Sequence, residues 1–427
     1  MRRAAVCVLS SFYTMKTYEH LIIGGGIAGV TAAETIRGKK PHATIGIVSS
    51  EPHVLYSRVL LPSYLKNKIR REQVFLRKED DFARVRIDFL RDSTVAGVDM
   101  VSRRVTLADG EELGYGTLLI SAGGRVRAWP HGVTEEGIYR LQTIDDADRL
   151  YGALPAIRQP VVIGSSFIAL EFIETFLLRG MVPRLLMRGP HFFESMLDNE
   201  GASLLEEHMI RQGATLMRED EVAGMERIGA MIQIQTRGGK IIEADAVAVG
   251  IGIGRNMDFL DNSGVVCGTH GVRTDEFLQT SMPGVFAAGD ITEYRDIRSG
   301  QHAMAGNWTN AMLQGRQAGM NMAGERGVFS AVPAYSIVHL GLNITALGMC
   351  SNDLETISRM DQTTRQYERF FIRDGVLAGA FLINRFVDKP VLAEMIARQT
   401  VIAPYADRLR DMAFDIRTIS AILEGHA

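Results

Sequence analysis

Leu21-Ile22-Ile23-Gly24-Gly25-Gly26-Ile27-Ala28-Gly29 decides the fold: an apolar strand runs straight into a glycine-rich turn, and a helical pattern follows over residues 30–37. The spacing is G-x-G-x-x-G, and each glycine has a physical role. Gly24 allows the tight turn, Gly26 lets the backbone approach a pyrophosphate, and Gly29 lets the helix close on the strand. Phosphates then sit at the helix N-terminus, where unpaired N–H groups and the helix dipole favour negative charge. A second strand, 44–48, leads to Glu51, about twenty residues past the last glycine, where this arrangement places an acid for a ribose hydroxyl. A glycine motif alone is a weak signal; strand, turn, helix, second strand and acid in order are a strong one.

A second unit of the same type begins at Pro160-Val161-Val162-Ile163, enters the turn Gly164-Ser165-Ser166-Phe167-Ile168-Ala169 and continues as a helix over 170–179. Ser166 and Ala169 replace the second and third glycines, and the next strand, 184–187, ends in Met187-Arg188 without an acid. Further on, a strand over 241–249 closes at Gly250-Ile251-Gly252, and Val285-Phe286-Ala287-Ala288 ends in Gly289-Asp290. These bracket a nested α/β architecture of two Rossmann-like units. After about residue 330 the pattern changes to strands at 365–373 and 376–384 around Asp374-Gly375, a hairpin signal, followed by helices. That segment is expected to be a small separate α+β domain.

Composition narrows the function. The 427 residues carry 47 Lys and Arg against 50 Asp and Glu, a net charge of −3, which argues against a general nucleic-acid binder. With 46% hydrophobic and 23% charged residues the chain is an ordinary globular protein, and roughly 150 residues per domain suggests two or three domains. No apolar run reaches the roughly 18 residues of a membrane span. Cys7, Cys267 and Cys350 are scattered, which leaves no disulfide framework, zinc finger or iron-sulfur ligand set and points to a reducing, cytoplasmic compartment. No HxxxH pair or Cys/His cluster appears, so no metal is expected. Residues 1–14 read as an extension upstream of a start at Met15; their short apolar run after Arg2-Arg3 has only a faint signal-peptide look.

Five segments in order resemble the two-dinucleotide-fold flavoprotein reductases, the pyridine nucleotide-disulphide oxidoreductase superfamily that includes rubredoxin and ferredoxin reductases and the flavin part of NADH-dependent nitrite reductase. They are residues 24–29; Tyr56-Ser57-Arg58-Val59-Leu60-Leu61; Ile120-Ser121-Ala122-Gly123-Gly124; residues 164–171; and residues 285–290. The resemblance implies FAD in the first unit, held at Gly24, Gly26, Ile27, Ala28, Gly29, Ala122, Gly123 and Gly289. Glu51 would meet the adenosine ribose, Arg58 the pyrophosphate or flavin edge, and Asp290 the ribityl chain. It places NAD(H) in the second unit at Gly164, Ser165, Ser166 and Ile168, with Gly250 and Gly252 lining the cleft. Phe167 would gate the nicotinamide pocket and Glu171 meet the carboxamide. The implied organisation is an extension over 1–17, an FAD domain over 18–125 and 265–330, a nicotinamide domain over 126–264 and an interface domain over 331–427.

Departures from the family pattern sharpen the expectation. No cysteine lies between Tyr56 and Leu65, which excludes dithiol chemistry beside the flavin. Many ferredoxin reductases carry a Lys near flavin N5, and the corresponding position is Ser63. Met187 stands where NAD-specific members keep an acid; Arg188 after it either receives a 2′-phosphate, favouring NADP(H), or is a surface arginine beside bound NADH, the preferred reading. Lys66, Lys68, Arg70, Arg71, Arg77 and Lys78 form a basic cluster, either a landing site for an acidic iron-sulfur protein or a helix face balanced by Glu72, Glu79, Asp80 and Asp81. Trp308 either shields the flavin or belongs to the core, and His302 and His339 are the histidines expected nearest a cofactor, a satisfied structural histidine being the commoner outcome.

The expected activity is hydride transfer between NAD(P)H and FAD, followed by single-electron exchange with an iron-sulfur protein or subunit. That partner would be a rubredoxin or ferredoxin, or part of a larger complex such as a nitrite reductase or an aldehyde oxidoreductase. A homodimer through the C-terminal domain is a further expectation. The alternatives are a flavin-bearing assembly subunit with a non-productive nicotinamide site, and a direct reductase of quinone or O₂.

Overall fold

The computed structural model describes residues 15–131 and 136–419; the upstream extension over 1–14 and Cys7 lie outside the described residues. The opening motif folds as its spacing predicts, into the strand Lys16–Ile23, the helix Ile27–Lys39 and the strand Ile45–Val48. Lys16–Ile23 is parallel to Ile45–Val48 on one side and to Glu112–Ile120 on the other, and Ile87–Leu90 extends the sheet beyond Ile45–Val48. Leu21 and Ile22 have no exposed surface, as expected of a parallel strand covered on both faces. Val285–Ala287 pairs in parallel with the last residues of Glu112–Ile120. That return from far down the chain closes the nested topology.

The second unit repeats the plan. Its five-stranded parallel sheet runs Thr215–Met217, Arg184–Leu186, Pro160–Ile163, Ala246–Val249 and Ile138–Tyr139. Glycine decides how closely the helix Trp308–Met322 meets the helix Ile27–Lys39. A Cβ on Gly315 would lie 2.2 Å from Ala28 O, and one on Gly319 2.7 Å from Ala32 O, so the helices pack backbone against backbone.

The C-terminal segment is a five-stranded antiparallel sheet in the order Ala334–His339, Leu342–Gly348, Val376–Ile383, Gln366–Arg373, Glu355–Asp361, with the helix Lys389–Ala397 packed on it. The hairpin at Asp374-Gly375 forms as the dipeptide predicts: φ is 51° at Asp374 and 77° at Gly375, and Arg373 pairs with Val376. One hydrophobic core spans all three parts, joining Leu61 and Leu65, Phe172 and Phe176, and Phe371 and Phe381. No helix among the described residues is long and apolar enough to cross a membrane.

Inside the C-terminal sheet, Arg359 and Glu368 face each other across neighbouring strands with no side-chain exposure, at 2.5 Å from Nη2 to Oε2 and 2.7 Å from Nε. Arg359 Nη1 also donates to the carbonyls of Asp411 and Phe414, tying the end of the chain to the sheet. Removing Arg359 leaves the buried Glu368 with the longer contact to Arg385, 3.6 Å from its Oε2. Arg359→Met is therefore expected to lower the unfolding free energy by about 3–5 kcal/mol, measured by urea titration. A loss below about 1 kcal/mol would show that the pair is not a buried one in solution.

Candidate active site

The first glycine turn is held by its neighbours. Gly24 adopts φ 114°, its N–H donates to Val48 O at 2.8 Å, and a Cβ there would lie 2.2 Å from Ser121 O. Gly29 is equally confined, with its Cβ position 2.0 Å from Gly24 O. Gly26, the N-cap of the helix, has nothing within 4 Å of its Cβ position, leaving the space a pyrophosphate would need. Ser121 braces the turn through Oγ to Ile23 O at 2.9 Å, and the carbonyl of Ala122 accepts from Asn256 at 2.8 Å. Gly123 and Gly289 take left-handed conformations, φ 61° and 85°, and Gly289 N donates to the buried Gln314 Oε1 at 2.7 Å.

Three polar residues expected at this site meet there. Glu51 is engaged at both oxygens, accepting from Tyr56 Oη at 2.6 Å and from Arg58 Nη2 at 2.5 Å. Arg58 also donates to Gln142 O. Burial raises the pKa of Asp290 above the usual carboxylate range, against the opposing pull of Arg255 and Arg58. Arg255, which sequence reasoning missed, has two buried nitrogens, Nε and Nη1, without a hydrogen-bond partner. A half-buried guanidinium with two buried, unpaired nitrogens beside Asp290 fits an anionic cofactor.

The second turn is a near copy of the first. Gly164 has φ 112°, donates to Leu186 O at 3.0 Å, and its Cβ position is 2.4 Å from Gly250 O. Gly250 therefore does here what Ser121 does in the first unit. Ser166 takes the place of Gly26, and its hydroxyl is used twice. It caps the helix Phe167–Leu178 by accepting from Ala169 N at 3.3 Å, and it donates to Gly250 O at 2.9 Å. Ser165 and Ile168 are half-buried in the same turn, and Gly252 has φ 87° with open space at its Cβ position.

Phe167 opens that helix and packs edge-on against Tyr335 of the C-terminal sheet at 4.6 Å and against Phe193 at 4.5 Å. Burial raises the Tyr335 pKa, and the charge of Glu171 raises it further. Glu171 is paired with Lys66, whose Nζ also bonds Glu174 Oε2 at 2.5 Å. The cation near Glu171 therefore comes from Lys66, three residues beyond Ser63. The basic cluster is balanced from elsewhere than its own acids: besides Lys66, Lys68 lies 3.7 Å from Glu174, Arg71 2.8 Å from Asp148, and Arg77 2.6 Å from Glu34. Lys66, Arg71 and Arg77 are thus closely paired within the chain, and Lys68 loosely.

Met187 points into the core, 1% exposed, while Arg188 is exposed at the strand end; that strand is Arg184–Leu186, one residue shorter than expected. Trp308, first residue of the helix Trp308–Met322, is half-buried and packs on the core of the first unit. His302 is exposed, whereas His339 is fully buried beside Glu174, with Nδ1 3.6 Å from Oε2. Lys66, Tyr335 and Arg255 carried no local signal, since each acquires its neighbours by long-range packing. Although burial pushes the Glu174 carboxyl up, His339 and Lys66 outweigh it and pull its pKa down to about 2. A depressed carboxylate contributes stability above its unfolded pKa of about 4.5 and loses it as pH falls toward the folded value. The stability advantage of wild type over Glu174→Gln should therefore shrink as pH falls from about 5 toward 3 in urea unfolding. A difference independent of pH would contradict the pairing.

Known proteins share this architecture. A sequence profile described as pyridine nucleotide-disulphide oxidoreductase matches residues 18–315. The chain is 29% identical over 397 residues to the NADH-dependent phenylglyoxylate dehydrogenase subunit epsilon of Aromatoleum evansii, covering 91% of this chain and 94% of that one. It is 27% identical over 416 residues to the 5,5'-dehydrodivanillate O-demethylase ferredoxin reductase subunit of a Sphingobium species, covering 95% and 99%. It superposes with a TM-score of 0.88, at 23% identity, on a chain of the crystal structure of the covalent putidaredoxin reductase-putidaredoxin complex, covering 95% of this chain and 98% of that one. With two dinucleotide turns of matching geometry, the chain belongs to the pyridine nucleotide-disulphide oxidoreductase family, flavin- and nicotinamide-dependent oxidoreductases.

Proposed function

We propose that this chain transfers hydride between NAD(P)H and FAD and passes single electrons between FAD and an iron-sulfur protein partner or subunit. The observation that carries the reading is the pair of matching nucleotide turns, the second opening a helix that bears Phe167 and Glu171, in a chain with no cysteine beside the segment 56–65. Without a thiol there to take the electrons, they must leave to another molecule. Bound FAD supplies the conversion between a hydride and single electrons.

The protein's own residues do the holding. The turn Gly24, Gly26 and Gly29 receives the FAD pyrophosphate on the helix N-terminus, joined by Ile27, Ala28, Ala122, Gly123 and Gly289. Glu51 meets the adenosine ribose, its carboxylate already oriented by Tyr56 and Arg58, while Asp290 and Arg255 hold the ribityl and phosphate end. Trp308 covers the flavin side of its helix. In the second turn Gly164, Ser165, Ser166 and Ile168 receive the nicotinamide dinucleotide, with Gly250 and Gly252 along the cleft. Phe167, packed on Tyr335, gates the nicotinamide, and Glu171 accepts from its carboxamide. NADH is the preferred nucleotide, with Arg188 read as an exposed surface arginine at the strand end.

The FAD domain comprises 18–125 and 265–330, the nicotinamide domain 126–264, and residues 331–427 form an interface domain for a homodimer or a larger redox complex. The Aromatoleum and Sphingobium relatives, both named as subunits, support that placement. Three scattered cysteines favour the cytoplasm.

Mixing the FAD-loaded protein anaerobically with NADH should bleach the flavin band near about 450 nm rapidly, and NADPH should do so more slowly. Glu171→Gln should slow the limiting rate by about tenfold or more. No bleaching by either nucleotide would overturn the hydride-transfer reading.

A further inference from the structure

Glu171 and Glu174 are three residues apart on the helix Phe167–Leu178, so their side chains leave the same face. Two buried carboxylates, with side chains 10% and 5% exposed, repel unless a cation stands between them. Lys66 is that cation, bonded to one oxygen of each and itself only 5% exposed. One ammonium against two carboxylates still leaves an excess negative charge. Lys68 approaches Glu174 at 3.7 Å, but its side chain is 56% exposed and water weakens its pull.

The remaining neighbour comes from the C-terminal sheet. His339, the last residue of the strand Ala334–His339, has no exposed surface, and neither ring nitrogen has a hydrogen-bond partner. Its Nδ1 lies 3.6 Å from Glu174 Oε2. A buried imidazole left otherwise unpaired requires an explanation. His208, from the helix Asn199–Arg211, is tied to Leu340 O, and burial lowers its pKa.

A lysine ammonium is a point charge on a flexible stem, and one carboxylate does not hold it in a single place. Two carboxylates do. We infer that Glu174 is a positioning residue for hydride transfer: backed by His339, it holds Lys66, and Lys66 holds the carboxylate of Glu171 in the orientation the nicotinamide meets. The inference rests on the role proposed above for Glu171. It ties the C-terminal sheet to the chemistry through His339, because small displacements of a positioning group cost rate more than affinity.

The test is anaerobic flavin bleaching by NADH, measured per bound flavin in wild type, Glu174→Gln, Glu171→Gln and the double variant. Glu174→Gln should lower the limiting rate about tenfold while the half-saturating NADH concentration moves less than about threefold. Glu174→Asp should lose less, and it carries the test if Glu174→Gln does not retain flavin. The double variant should be no slower than Glu171→Gln alone, since the effect passes through Glu171. A limiting rate per bound flavin equal to wild type in Glu174→Gln or Glu174→Asp would overturn the inference, as would additive losses in the double variant. Wild-type protein that NADH does not bleach would instead overturn the hydride-transfer reading, and this inference with it.

Discussion

A left-handed glycine pressed against the carbonyl that follows the neighbouring strand is the constraint on which both nucleotide turns depend. Gly24 meets Ser121 O and Gly164 meets Gly250 O, each with room for a hydrogen and none for a methyl group. The turn and the strand beside it are therefore one feature. In each unit the backbone leaves its first strand, crosses the end of the adjacent strand and enters a helix whose first N–H groups are free for phosphate. The third position can relax from Gly29 to Ala169, and the second from Gly26 to a capping Ser166, but the first glycine is present in both.

Close packing of the helices Ile27–Lys39 and Trp308–Met322 follows from the same economy of side chains. Gly315 and Gly319 let the second helix lie on the first, which brings Gln314 under Gly289 and sets the loop that carries Asp290. The contact thus joins residues nearly the whole length of the first unit apart, and the nested return of the chain serves the site as well as the sheet.

Charge governs the space between the parts. Lys66 belongs to the first part of the chain, Glu171 and Glu174 to the second and His339 to the third, and all four side chains are buried where the shared core ends. Burying ions is costly unless they are paired, so this junction is specified by electrostatics as much as by the apolar contacts around it. With no cysteine in 56–65, that segment and the Lys66 that follows it act in the site through the charges of Arg58 and Lys66.

Both units, their glycine turns, the helix that follows each and the Asp374-Gly375 hairpin were legible in the sequence, because each is determined by residues within a few positions of one another. A positive φ and a strand's apolar run are local requirements, and local spacing expresses them. The partners of the charged residues were not legible. Lys66 reads as one cation in a basic run until its partners, 105 and 108 residues away, are placed on it, and Arg255 carries no signal until it is half-buried beside Asp290. Sequence states which charges a chain carries; which of them lose their water, and against which opposite charge, is decided only when distant elements pack, because desolvation and pairing depend on three-dimensional neighbours rather than on order along the chain.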